Sequence, residues 1–286
     1  MGKMEGNLAS KIFKVYKYRF YPRLKEYRGF TRLLKILDGL AHRSIENYDS
    51  ADEAQSIFEK DWDNLIIIDA CRYDLYQEVV GEGDYRVTLA SCSKEFFDKT
   101  FSDRDSKDTV YISANPHIDD SIFEPLTGKS SDDVFHSVYR TYRTDWDDEK
   151  GTVLPEPVLR DAKTAEKLNP DKKKIIHLMQ PHYPFITEKS SMQGGFSPEL
   201  DSKQDKEETP WNMAEKGEMS RGKVWKGFKE NLEYVLPFVE ELNQELEGKT
   251  VVTADHGNLV GENGCYGHPC GSNAKGLRKV PWHELD

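Results

Sequence analysis

The sequence predicts an α/β domain with a doubly wound, mostly parallel sheet sandwiched by helices, preceded by an N-terminal helical extension. Residues 64–70, 174–179 and 249–254 are short apolar runs of the kind buried on both faces of a parallel sheet. Helical spacing of apolar residues lies between them, which predicts βαβ units. At 286 residues the chain accommodates one large α/β domain and is short for two catalytic ones.

In order along the chain, residues 11–40 alternate cations with bulky apolar side chains and predict two short helices broken near Pro22. Either this segment packs on the domain with its Lys and Arg stems over apolar surface, or it makes peripheral contact with an anionic membrane surface. We assign residues 1–60 to the extension and 61–286 to the catalytic domain. The first strand, 64–70, ends on Asp69, and a helix to about Val80 follows. A strand at 86–90, a helix at 93–101 and a strand at 108–113 come next. Residues 134–142 and 160–168 read as helices, and 174–179 as an inner strand. The polar segment 188–221, with Gly194, Gly195, Pro198 and Pro210, predicts a loop insertion or lid. A helix at 224–246 and a strand at 249–254, followed by Asp255, close the predicted set.

Hydrophobic residues make up 37% of the chain and aromatics 11%, enough for a packed interior despite 32% charged residues. The net charge is -11, yet residues 1–45 carry eleven Lys or Arg against three acids, so the remainder is strongly acidic. An acidic body excludes general nucleic-acid binding, which needs clustered cations against phosphate. Four cysteines, Cys71, Cys92, Cys265 and Cys270, form no tight framework and predict a reduced, cytoplasmic setting. No apolar run has the length of a membrane span or the flanks of a secretion signal.

In open α/β sheets ligands bind beyond the carboxyl ends of the strands. Asp69 and the pair Asp255-His256 occupy such ends, and carboxylate with imidazole suits a divalent cation better than a thiolate set would. An Asp after a strand is often only a cap or turn residue. Asp255-His256-Gly257 is poorly explained that way.

The order of these signals resembles the alkaline phosphatase superfamily, particularly its sulfatase-like branch and the lipoteichoic-acid-synthase relatives. The elements are an Asp-ended first strand, a hydroxyl-bearing helix start about twenty residues later, Pro181-His182-Tyr183-Pro184-Phe185, and Thr253-Ala254-Asp255-His256-Gly257. The resemblance implies a hydrolase of phosphate or sulfate esters that uses a divalent ion (Zn, Mn, Mg or Ca). Its alternatives are a transferase moving a phospho-substituent onto a glycan or lipid acceptor, and a non-catalytic member of the fold. The implied substrate is accordingly a small-molecule, glycan or lipid ester. Asp69, Asp255 and His256 become metal ligands, and His268 completes a second metal site or binds substrate. His182 contacts the substrate's charged oxygens or its leaving group. Ser91 is the first choice of nucleophile, standing four residues before Glu95-Phe96, with Cys92 and Ser93 as alternatives and capping as the other role for Ser93. Cys92 is followed by Ser93-Lys94-Glu95-Phe96, without the Pro and Arg of the formylglycine pattern, which argues against a true sulfatase. Arg72 is placed either to bind the anion or to pair with Asp74. His177, inside a strand, reads as a hydrogen-bonded core residue. Cys265 and Cys270 make only a weak zinc-site signal.

Overall fold

The computed structural model describes residues 53–187, 209–262 and 264–286. The proposed helices at 11–40, and residues 188–208 of the insertion, lie outside the described residues. Twelve strands are described: β1 (Ala54–Gln55), β2 (Asn64–Ile68), β3 (Asp84–Thr88), β4 (Ser106–Ser113), β5 (Phe135–Arg140), β6 (Trp146–Asp147), β7 (Thr152–Val153), β8 (Lys173–Leu178), β9 (Thr250–Thr253), β10 (Leu259–Glu262), β11 (Cys265–Gly267) and β12 (Lys279–Glu284). Nine α-helices accompany them: α1 (Tyr73–Val79), α2 (Ser93–Phe101), α3 (Asp120–Thr127), α4 (Ser131–Val134), α5 (Thr141–Thr144), α6 (Pro155–Leu168), α7 (Pro210–Glu215), α8 (Arg221–Glu245) and α9 (Lys275–Arg278).

Eight strands form one sheet in the order β1-β3-β12-β9-β2-β8-β4-β5. All pairings are parallel except those of β12, which runs antiparallel between β3 and β9. The other seven strands therefore point one way, and their carboxyl ends share an edge. Small antiparallel pairs, β6 with β7 and β10 with β11, lie outside this sheet.

Central β2 is wholly buried, as its continuous apolar run requires. α8 packs on α6 and α1, while α2 packs on α3. Phe96, Phe97 and Phe101 of α2 join Tyr111, Phe123 and Phe135 in a buried aromatic cluster. That cluster explains a departure from the sequence reading. Residues 134–142 predict a helix, but Phe135–Arg140 is an edge strand beside β4. Phe135 stacks tilted on Tyr111 at 4.9 Å and edge-on to Phe101 at 5.0 Å, so tertiary packing overrides the local pattern. The β10–β11 hairpin forms across the start of a Gly-rich stretch, residues 261–271, and β12 forms in a segment to which the sequence reading assigns no element. In the described part of the insertion, Trp211 of α7 is buried edge-on to Phe185 at 5.9 Å. Among the described residues no helix is long and apolar enough to cross a membrane.

Candidate active site

Strand register assembles the site. Ile67 of β2 pairs with His177 of β8 and Thr253 of β9, and Ser113 of β4 pairs with the same His177. Side chains alternate with a period of two, so Asp69, Asp255 and Asn115, each two residues beyond this row, fall on a common side with it. The contacts agree with that arithmetic. Asn115 Nδ2 donates to Asp69 Oδ2 at 2.6 Å, and the Ala70 amide donates to Asp255 Oδ1 at 3.1 Å. His177 Nε2 lies 3.3 Å from Asp69 Oδ2 and 4.0 Å from Asp255 Oδ2, and His256 Nε2 lies 3.7 Å from Asp69 Oδ1 and 3.3 Å from Asp255 Oδ2.

The turn after β2 is sterically costly. Ala70 has φ of 59°, a left-handed conformation uncommon for a residue with a Cβ, directly after Asp69. Gly257 follows His256 for a different reason: a Cβ there would lie 3.1 Å from the Gly276 carbonyl carbon and closer still to its oxygen. The Gly257 amide donates to Leu277 O at 2.8 Å, which seats the site segment against α9.

Ser93, the first residue of α2, turns its hydroxyl into this group. Its Oγ donates to Asp255 Oδ2 at 2.8 Å, lies 3.2 Å from His256 Nε2 and accepts from Asn115 Nδ2 at 3.3 Å. Ser91 points elsewhere, within 2.9 Å of both Glu95 Oε2 and the Pro269 carbonyl. The expectation that Ser91 faces the acidic group therefore needs correction: a buried Glu95 requires hydrogen-bond partners, and Ser91 supplies two of them, amide and hydroxyl. Arg72 also departs from the anion-binding expectation. Its guanidinium is bidentate to Asp74, at 2.5 and 2.6 Å, and donates to Glu262 at 2.7 Å and Asn258 O at 3.0 Å. Those acceptors use its donor fork to tie the β10 hairpin to α1.

Histidines line the rest of the site, several of them with a common tautomer. His256 Nδ1 donates to Gly257 O at 2.7 Å and His182 Nδ1 to Tyr183 O at 2.5 Å. His268 Nδ1 donates to Asn258 Oδ1 at 2.9 Å, and His117 Nδ1 to Asn115 Oδ1 at 2.8 Å. An oxygen acceptor at Nδ1 leaves Nε2 as the lone-pair nitrogen, the form that binds a metal or takes a proton. The His268 ring lies 4.7 Å from that of His256 and 4.9 Å from that of His182. Burial pushes the imidazolium forms of His182 and His268 below the usual range and takes His117 down to about 3. Burial raises the Asp69 carboxyl, but the adjacent His177 imidazole, 3.3 Å away, and the nearby His182 and His256 outweigh it and hold it well below the carboxylate range.

The residues fit a cation. Asp69, His177 and Asp255 each offer a ligand atom within 4.8 Å of the others, and all three are buried. Asp69 Oδ1 and His177 Nε2 have no hydrogen-bond partner. Buried carboxylates with an orphan oxygen beside an orphan imidazole nitrogen are costly unless something positive sits between them. Sequence reading leaves His177 in the core. It is a core residue on its Nδ1 side, 2.8 Å from Tyr111 Oη, but its Nε2 faces the carboxylates. Its position opposite Ile67, one pleat behind Asp69, is the signal that identifies it. Asn115 and His117 follow β4 by the same logic and are not anticipated from sequence.

The cysteines also depart from expectation. Cys92 and Cys270 form a disulfide across 178 residues of chain, while Cys71 and Cys265 are buried and not disulfide-bonded. Disulfides persist in oxidising compartments, so the premise for a cytoplasmic setting is removed. Cys270 is thereby unavailable for a zinc site, and Cys92 for conversion to formylglycine.

No protein-family model matches the chain, and no curated protein matches it. Solved structures do. The soluble domain of lipooligosaccharide phosphoethanolamine transferase A from Neisseria meningitidis is 14% identical with a TM-score of 0.48, over 84% of this chain and 80% of that one. The integral membrane form of that protein gives 13% and 0.47, over 88% of this chain and 54% of that one, so the chain spans about half its length. An alkaline phosphatase superfamily protein from Vibrio parahaemolyticus gives 11% and 0.42, over 88% and 69%.

Proposed function

We propose that the chain is a metal-dependent enzyme that takes a phospho-substituent from a phosphate ester onto Ser93 and passes it to an acceptor. One observation carries this reading. The Ser93 hydroxyl lies 2.8 Å from Asp255 Oδ2 and 3.2 Å from His256 Nε2, beside the orphan atoms of Asp69 and His177.

Asp69, Asp255 and His256, with His177, would hold the divalent ion, which when bound supplies positive charge to stabilise an anionic hydroxyl and the transferring oxygens. The Ser93 proton passes to water, because the Asp255 carboxylate and the His256 Nε2 lone pair would be engaged by the ion. Ser93 Oγ then forms the bond to phosphorus as the ester P–O bond breaks, and the leaving alkoxide takes a proton. His182 and His268, whose rings lie next to each other, that of His268 also beside His256, would contact the phosphate oxygens or the leaving group once protonated at Nε2. In the second half an acceptor hydroxyl attacks phosphorus, and Ser93 leaves with its proton restored. Phosphate is favoured over sulfate because the hydroxyl facing the acids belongs to a serine and Cys92 is held in a disulfide. The acceptor is either water or the hydroxyl of a glycan or lipid.

Turnover of an aryl phosphate with Zn, Mn or Mg tests the reading. Ser93→Ala should lose at least about a hundredfold, the scale of a strong catalytic contribution. Mass analysis of quenched wild type should find a phosphate adduct on Ser93. Phosphate released without an acceptor indicates hydrolysis, and turnover that needs an added polyol or lipid hydroxyl indicates transfer. Equal rates for wild type and Ser93→Ala would end the proposal.

A further inference from the structure

Ser91, Cys92 and Ser93 are consecutive, yet only Ser93 faces the acids. The first two grip another segment, residues 268–273, which forms no helix or strand. Ser272 N donates to Ser91 Oγ at 3.2 Å, and the Ser91 hydroxyl lies 2.9 Å from Pro269 O. Glu95 accepts from the Ser91 amide at 3.0 Å and from the Gly271 amide. Cys92 is bonded to Cys270. Burial raises the Glu95 carboxyl, but Lys99 and these donors more than offset that, so it remains an ionised acceptor.

The gripped loop carries His268, two residues before Cys270. Its ring is set by the bond to Asn258 and by contact with the His256 and His182 rings. A loop without its own ladder holds a side chain only as well as its anchors do.

We propose that Ser91, Glu95 and the Cys92–Cys270 disulfide form a two-part latch that positions His268 over the active site, and that thiol reductants release one part of it. Ser91 and Glu95 are thus positioning residues. The same three-residue segment presents Ser93 from its other side, so the nucleophile and His268 are located by one piece of backbone. The catalytic arm of this inference rests on the function proposed above, whereas the conformational arm does not.

Hydrogen exchange on the full chain tests the conformational arm. The amides of His268 and of residues 270–272 should exchange at least about tenfold faster in Ser91→Ala, and again in wild type treated with dithiothreitol, while amides 97–101 of α2 stay protected; tenfold corresponds to loss of about one hydrogen bond's net contribution. Unchanged exchange in both would overturn the latch. For the catalytic arm, Ser91→Ala and reduction should each lower kcat/KM for an aryl phosphate by about tenfold, but by less than about twofold in a His268→Ala background, because coupled effects do not add. Glu95→Gln, which keeps an acceptor, should retain most of the activity that Glu95→Ala loses. Fully additive losses with His268→Ala would refute positioning and leave only general stabilisation. If wild type turns over no ester, the functional reading fails, and exchange alone decides the latch.

Discussion

Gly227→Ala sets two known effects against each other. Gly227 lies inside α8, where alanine is favoured over glycine by roughly 0.5–1 kcal/mol. Its face is occupied by Phe185, and an added Cβ would lie 2.8 Å from Cε2 and 3.0 Å from Cγ of that ring. Phe185 has little room to retreat. It is 1% exposed and packs edge-on to Trp211 at 5.9 Å and to Tyr183 at 6.1 Å. Moving it would also disturb the buried Asn231, which accepts from the Ile186 amide at 2.9 Å and donates to Pro184 O at 2.8 Å. Overpacking of such sites costs about 1–3 kcal/mol, and with the ring confined the upper half applies. The net expectation is destabilisation by about 1–2.5 kcal/mol, a fall in Tm of roughly 2–10 °C on the usual scaling for chains of this order. Thermal unfolding in EDTA is the assay, since chelation removes stabilisation by bound metal. Phe185→Leu should partly rescue the variant, because the new methyl enters space the ring vacates. A Tm that rises on Gly227→Ala, or a Phe185→Leu cost that adds in full, would refute the reasoning.

Gly257→Ala should destabilise more severely than an ordinary glycine replacement, because its methyl meets the Gly276 backbone carbonyl rather than a side chain that can turn; expression and Tm check this. His117 binds its proton with a pKa of about 3 when folded against 6.5 for a solvated histidine. The unfolded chain therefore takes up this proton first, so this histidine leaves stability unaffected above pH 6.5 and lowers it as pH falls from there toward about 3. The loss is about 2 kcal/mol at pH 5, and urea titrations of chelated protein should show a shallower pH slope for His117→Gln. Saturating Zn or Mn should raise the Tm of chelated protein by about 5–10 °C at a hundredfold excess over Kd, with Asp69→Asn abolishing the shift and His177→Ala reducing it. An undiminished shift in Asp69→Asn would exclude that carboxylate as a ligand.

The parts of this fold legible in sequence are those dictated by local pattern. The runs ending at Asp69, Met179 and Ala254 read as buried parallel strands because nothing else explains short apolar stretches of that length, and Ser93–Phe101 reads as a helix with the boundaries observed. What escaped depends on distant partners. Phe135–Arg140 is a strand because β4 and the aromatic cluster recruit it, and β12 because β3 and β9 leave a slot between them. The Cys92–Cys270 bond joins segments whose proximity no spacing rule reveals. His177 needs the register of three strands before its outlook on Asp69 is visible.

The two serines show how hydrogen-bond accounting separates structure from chemistry. Ser91 stands four residues before Glu95, the spacing that first recommends it as nucleophile. A buried carboxylate at that spacing must be satisfied, and the nearest hydroxyl with its amide is what satisfies it. The feature that makes Ser91 conspicuous is therefore the one that commits it. Ser93 has no such debt to the scaffold: its contacts are Asp255, His256 and Asn115, all groups of the site itself. A hydroxyl whose partners are the ligand-type residues can change its protonation and bonding without releasing a loop. One whose partners are a carbonyl, an amide and a buried acid of the scaffold cannot, and this difference is the reason we propose Ser93 rather than Ser91 as the nucleophile.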